Sequence, residues 1–76
     1  MISDLERARL RLIEYKDQYA EEVALRSDTA NNHPNHHHRN HAIDAIQVAR
    51  NEYLERLEFY IRIRIEHQFL DDLLSL

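Results

Sequence analysis

The chain has 76 residues with no cysteine, no glycine and a single proline, and its formal net charge is −4. This length allows one domain, and the absence of cysteine excludes disulfides, thiol chemistry and cysteine-based metal sites. Without glycine the chain is poorly suited to tight hairpin turns and phosphate-binding loops, whereas its many Glu, Arg, Leu and Ala residues favour helix.

The first predicted helix spans about residues 3–27. Ser3 and Glu6 have the spacing of a capping box, in which the Ser3 hydroxyl accepts a hydrogen bond from the Glu6 amide. Apolar residues then follow at the helical spacings of three and four. They are Leu5, Ala8, Leu12, Tyr15, Tyr19 and Val23. A second apolar stripe lies partly around the same helix and consists of Ile2, Leu10, Ile13, Ala20 and Ala24. Two apolar stripes predict burial on two sides, as in a helical bundle.

A connector is predicted over about residues 28–40. Its Ser, Asp, Thr and Asn side chains compete for backbone groups, and Pro34 disfavours helical geometry at His33. The second helix is predicted to begin after Asn40, which is a good N-cap residue. An earlier start is the alternative, with Asn32 or His33 as the cap and Pro34 in the first helical position.

The second predicted helix spans about residues 41–75. One face carries Ala42, Ile46, Ala49, Tyr53, Leu57 and Tyr60, and it is widened by Ile43, Leu54, Ile61 and Ile65. Residues 57–66 also alternate apolar and polar, which is the period of a strand. We predict helix there, because a lone strand would have no partner and because Glu58, Arg62 and Glu66 are spaced four residues apart.

These elements predict an all-α fold in which residues 1–76 form one domain, an antiparallel two-helix hairpin with a longer second helix. The end of the second helix has no counterpart on the first. Five apolar residues would then be exposed in a monomer, namely Phe69, Leu70, Leu73, Leu74 and Leu76. We therefore expect them to be interaction residues of a homodimeric four-helix bundle, in which the tail of one chain covers its partner. A larger protein is the alternative partner.

Histidines dominate the connector. Five fall within nine residues, namely His33, His36, His37, His38 and His41. Neutral imidazole binds divalent transition metals such as Zn, Ni, Cu or Co. If the segment is helical, His37 and His41 are one turn apart and can chelate one ion, with His38 and His41 as a second pairing. Asp28 or a second subunit would complete the ligands. The alternatives are a solvated connector without metal and a pH-sensing segment.

The remaining features narrow the class of function. Arg7, Arg9 and Arg11 cluster, but acidic residues surround them, so the charge balance argues against nucleic acid as a partner. No secretory signal and no membrane-length apolar run are present, so cytoplasmic localisation is the default expectation. No catalytic triad or cofactor motif is recognisable. We expect a non-catalytic interaction or regulatory module, with a metal-binding or metal-responsive protein second and a small-ligand enzyme or sensor third.

Overall fold

The computed structural model describes residues 2–76, and these form two α-helices. Helix α1 spans Asp4–Asn32 and helix α2 spans His36–Leu74. This described part contains no strand, and neither helix is long and apolar enough to cross a membrane. The predicted all-α hairpin with a longer second helix is therefore confirmed.

The two helices pack side by side in opposite directions. The guanidinium of Arg56 lies 4.9 Å from the ring centroid of Tyr15. Four residues further along α1, the ring of Tyr19 stacks on that of Tyr53, with centroids 5.9 Å apart. Because later residues of α1 meet earlier residues of α2, the pair is antiparallel.

Helix α1 continues well into the segment 28–40, which was predicted to be a connector. The side-chain amide of Asn32 donates to the Asp28 carboxylate at 2.9 Å, and the Ser27 hydroxyl donates to the backbone carbonyl of Val23 at 2.6 Å. These polar side chains find partners one turn back on the helix itself. Both bonds are compatible with the helix, so these side chains do not end it as the sequence suggested.

Helix α2 also begins earlier than predicted, so that only residues 33–35 separate the helices. Its N-cap is Asn35, whose side-chain oxygen accepts from the amides of His37 and His38 at 2.9 and 3.3 Å. These bonds satisfy two of the amides that a helix start leaves free. The predicted start after Asn40 was wrong, because a cap residue of the same type stands five positions earlier.

Residues 57–66, whose alternation resembled a strand, lie within α2. Glu58 and Arg62 form an ion pair at 3.6 Å across one turn of this helix. Tyr60 and Ile63 are half-buried, while the other apolar side chains of the segment, apart from Leu57, are exposed. The alternation therefore reflects apolar residues on more than one face of a helix.

The contact between the helices is a narrow strip, which we call the seam. Its residues follow one another at alternating spacings of three and four, the heptad pattern. On α1 they are Leu5, Ala8, Leu12, Tyr15, Tyr19, Glu22, Arg26 and Thr29. On α2 they are Ala42, Ile46, Ala49, Tyr53, Arg56, Tyr60, Ile63 and His67. Only Ala8 and Ala42 are buried among the described residues, so the hairpin has almost no core.

The molecule is therefore long, thin and well exposed. It measures 63 × 20 × 12 Å, with a radius of gyration of 17.6 Å, whereas a compact domain of this length has about 11 Å. Its accessible surface is 6293 Å², against about 4,900 Å² for a folded monomer of this mass. The hairpin thus exposes about 1,400 Å² more than a compact monomer would.

Candidate functional site

The seam divides the rest of the hairpin into two broad sides. Each helix has one flank on either side of its seam residues. Because the helices are antiparallel, the two flanks reached by rotating in the same direction about each helix axis, viewed from that helix's own N-terminus, lie on the same side of the hairpin. The first flank holds a run of apolar residues, and we call it the apolar side. Its apolar residues are Ile13, Ala20, Val23, Ile43, Leu54, Leu57 and Ile61. Its basic residues are Arg9, Lys16, Arg50 and Arg64, against the two acidic residues Glu6 and Asp71.

A shallow groove of about 490 Å³ lies on the apolar side. Lys16, Ala20 and Val23 of α1 line it together with the stacked rings of Tyr19 and Tyr53. The sequence placed Val23 in one apolar stripe with Tyr19, but Val23 lies beside the seam and is 36% exposed. The seam position beside it is taken by Glu22, whose carboxylate pairs with Arg26 of the next turn at 2.6 Å.

The opposite flank is charged, and we call it the acidic side. Its acidic residues are Asp4, Glu14, Glu21, Asp28, Glu52, Glu55 and Glu66, and its basic residues are Arg7, Arg11 and Arg62. A cleft on this side is lined by Glu21 and Gln18 of α1 and by Val48 and Glu52 of α2, among others. Its residues come from both helices, as the antiparallel arrangement requires.

The five histidines lie together at the hairpin turn, but local contacts engage several of them. His33, in the connector, accepts the Asn35 amide on its Nδ1 at 3.0 Å. Its ring also lies against that of His38, with centroids 4.8 Å apart. His33 therefore helps to shape the turn, and its Nδ1 is not free for a metal.

His36 has contacts at both ring nitrogens. The Arg39 guanidinium donates to Nδ1 at 2.9 Å, and the side-chain amide nitrogen of Asn40 lies 3.2 Å from Nε2. A metal ion would have to displace one of these partners, and Arg39 would bring a positive charge close to it. His36 is therefore a poor ligand in this conformation.

His37 and His41 are the pair that the structure brings together, because the early start of α2 makes this segment helical. Both are exposed and one turn apart. With His38, Asn40 and Asp44 they line a depression of about 450 Å³. Among residues 2–76, however, no three His, Asp or Glu side chains are grouped so as to hold a metal ion.

The five predicted interaction residues lie at the other end of the molecule. Phe69, Leu70, Leu73, Leu74 and Leu76 are 49–102% exposed. Asp4, the first residue of α1, shares a cleft with His67 and Leu70. The part of α2 beyond Leu70 therefore has no helix opposite it, as the unequal lengths predicted.

The acidic side has a second cleft, which we call the arginine cleft. The sequence did not reveal it. Four arginines line it, Arg7 and Arg11 from α1 and Arg56 and Arg62 from α2. These residues are remote in the chain, and they meet only because of the register of the hairpin. Spacing alone identifies Arg7 and Arg11 as neighbours on one face, but it cannot place the other two beside them.

Comparison of the chain with family models, with curated proteins and with solved structures finds no match. The function is therefore argued from the geometry of the hairpin.

Proposed function

We propose that this chain is a non-catalytic interaction module that works as a homodimer. The observation that carries the proposal is the exposed surface, which exceeds that of a compact monomer by about 1,400 Å². If each chain covers that excess, a dimer buries about 2,800 Å² in total, which lies in the range of obligate dimers. A hairpin with two buried residues gains its missing core from a second copy.

The apolar side is the surface best suited to this contact. Ile13, Val23, Ile43, Leu54 and Ile61 are 36–48% exposed there in the single chain. Complete burial of one such side chain stabilises an assembly by about 1.5–3 kcal/mol. These side chains are already partly buried in the single chain, so each gains only part of this free energy in the dimer. The charged residues of this side stand among the apolar ones, where their long stems can extend to the edge of an interface.

Two hairpins that face each other through their apolar sides form a four-helix bundle. The acidic sides, with a formal charge of −4 each from seven carboxylates and three arginines, then point outward, and the sides that meet carry the smaller charge of +2 each from four basic and two acidic residues. The unpaired ends of α2 extend beyond the first turn of α1, where Leu74, which continues the seam of α2, contacts the partner. The outer surface of this dimer remains available to a larger protein that the module scaffolds, regulates or inhibits.

Dilution of the chain tests the proposal, because a folded state that depends on a second copy is lost at low concentration. We expect the helical circular dichroism signal to fall on dilution from about 100 µM to below 1 µM. The unfolding temperature should fall with it. A signal and an unfolding temperature that do not depend on concentration would show that the hairpin is stable alone, and the proposal would be wrong.

A second candidate function, metal binding, is favoured by His37 and His41. Their one-turn spacing on an exposed helix face suits chelation of Zn²⁺, Ni²⁺ or Cu²⁺ by two imidazoles. Asp44 borders the same depression and is the nearest candidate for a further ligand. Two imidazoles alone leave a transition metal partly hydrated, so we expect micromolar rather than nanomolar affinity.

Titration calorimetry with Zn²⁺ and Ni²⁺ tests this site. Replacing His37 and His41 with Ala should abolish the micromolar binding, whereas replacing His33 and His36 should change it less than threefold. If the two double variants lose affinity equally, the ion binds the histidine-rich segment without a defined site, and the second candidate fails.

A further inference from the structure

We infer that the arginine cleft binds a small phosphate ester that carries an aromatic or other apolar group. The cleft has a volume of about 640 Å³ and lies at the end of the hairpin where α1 begins. This volume falls within the range of small-molecule sites. The inference is independent of the proposed dimer, because the cleft is on the acidic side and the proposed interface is on the apolar side.

The charge of the cleft selects an anion. Four of the nine arginines in the chain line it, together with the carboxylates of Asp4 and Glu66. Its formal charge is therefore +2, in a chain whose net charge is −4. A phosphate monoester carries about −1.5 to −2 at neutral pH, so one such group matches the cleft. A single carboxylate would leave about half of this positive charge uncompensated.

The arginines are available to a ligand and are partly held in place. Among the described residues, neither Arg7 nor Arg11 forms an ion pair within 4 Å, and Arg62 forms only the 3.6 Å pair with Glu58. The Arg56 guanidinium lies over the Tyr15 ring, which restricts its motion. Guanidinium groups bind phosphate oxygens through paired hydrogen bonds, so two or more can share one phosphate.

The apolar part of the ligand is inferred from the other residues of the cleft. Ala8 and Ile63 belong to its floor, where α1 and α2 meet. Phe59 and Leu70 also line it and are 48% and 55% exposed. An exposed aromatic ring can pack against a ligand ring in an offset-stacked or edge-to-face arrangement. A phosphate joined to such a ring would use both parts of the cleft.

Phenyl phosphate is the smallest probe that combines the two groups, with inorganic phosphate as its comparison. Binding is followed by NMR on the ¹⁵N-labelled full chain at low salt. We expect shifts confined to the residues of the cleft and an affinity at least fivefold higher for phenyl phosphate than for inorganic phosphate. Shifts spread over both sides of the hairpin, or no binding of either probe, would overturn the inference.

Matched variants locate the binding. Replacing Arg7 and Arg11 with Gln, which is a good helix former, should weaken phenyl phosphate binding at least tenfold. The same change at Arg50 and Arg64, on the apolar side, should alter it less than twofold. Equal losses in the two variants would show that the anion collects on any guanidinium, and the inference would be wrong. Phe59→Ala should reduce the preference for phenyl phosphate over inorganic phosphate, and an unchanged preference would contradict the role of the ring.

The state of association is measured in the same samples by sedimentation. If the chain is a monomer and still binds phenyl phosphate in the cleft, the proposed dimer fails and the inference stands. If the chain is a dimer without a phosphate site, the opposite holds.

Discussion

The two broad sides of the hairpin are built on the same two helices, yet they differ in almost every property. The apolar side carries aliphatic residues interrupted by a few, mostly basic, side chains. The acidic side carries seven carboxylates and three arginines, and its apolar residues, such as Val48 and Phe59, lie among these charges. The seam between the sides is too thin to stabilise the hairpin strongly. This difference is the basis of our proposals that one side contacts a second copy of the chain and that the other faces solvent and a charged ligand.

We expect the largest effect on dimerisation from charges placed among the apolar residues of the apolar side. Replacing Leu54 and Ile61 with Glu puts charges into the proposed interface of both copies. We expect the dimer dissociation constant to rise about 100-fold or more, because each contact loses apolar burial and a carboxylate must be desolvated in its place. Sedimentation velocity across a dilution series measures the change.

A matched change on the acidic side is the control. Val48 and Phe59 lie on the same helix and are at least as exposed, at 57% and 48%. Replacing both with Glu should change dimerisation less than threefold. If the two pairs of substitutions weaken the dimer equally, the distinction between the sides has no bearing on assembly.

A smaller effect is expected at the unpaired end of α2. Leu73→Asp and Leu74→Asp together should weaken the dimer about tenfold, because this segment adds to the interface without forming its centre. The loss should be several times smaller than that of the Leu54 and Ile61 pair. If the dimer tolerates Glu at positions 54 and 61 but dissociates when Leu73 and Leu74 are replaced with Asp, the centre of the interface lies at the end of α2 and not on the apolar side.

The sequence was sufficient for the fold and for part of the site, because helical periodicity is a local property. It predicted two helices, their unequal lengths and the exposed tail residues such as Leu73. It misplaced the connector, because Asn32 and Ser27 bond within their own helix and because Asn35 rather than Asn40 caps the next. A choice between cap residues of the same type depends on the conformation of the turn, which spacing does not determine.

The arginine cleft and the division of the hairpin into two sides could not be predicted from the sequence. Both depend on the register of α2 along α1. Arg11 and Arg62 are 51 positions apart, and their meeting depends on how far α2 slides along α1. The histidines show the opposite problem, since their spacing was plain while their contacts were not. The sequence placed His36 among the candidate ligands, but its ring nitrogens are occupied by neighbours on the same helix.

We propose above all that the hairpin is half of an assembly. Sedimentation equilibrium of the unmodified chain at micromolar concentration tests it most directly. We expect a particle with twice the 9.2 kDa mass of the chain. A single species of 9.2 kDa, folded and helical at the same concentration, would contradict it.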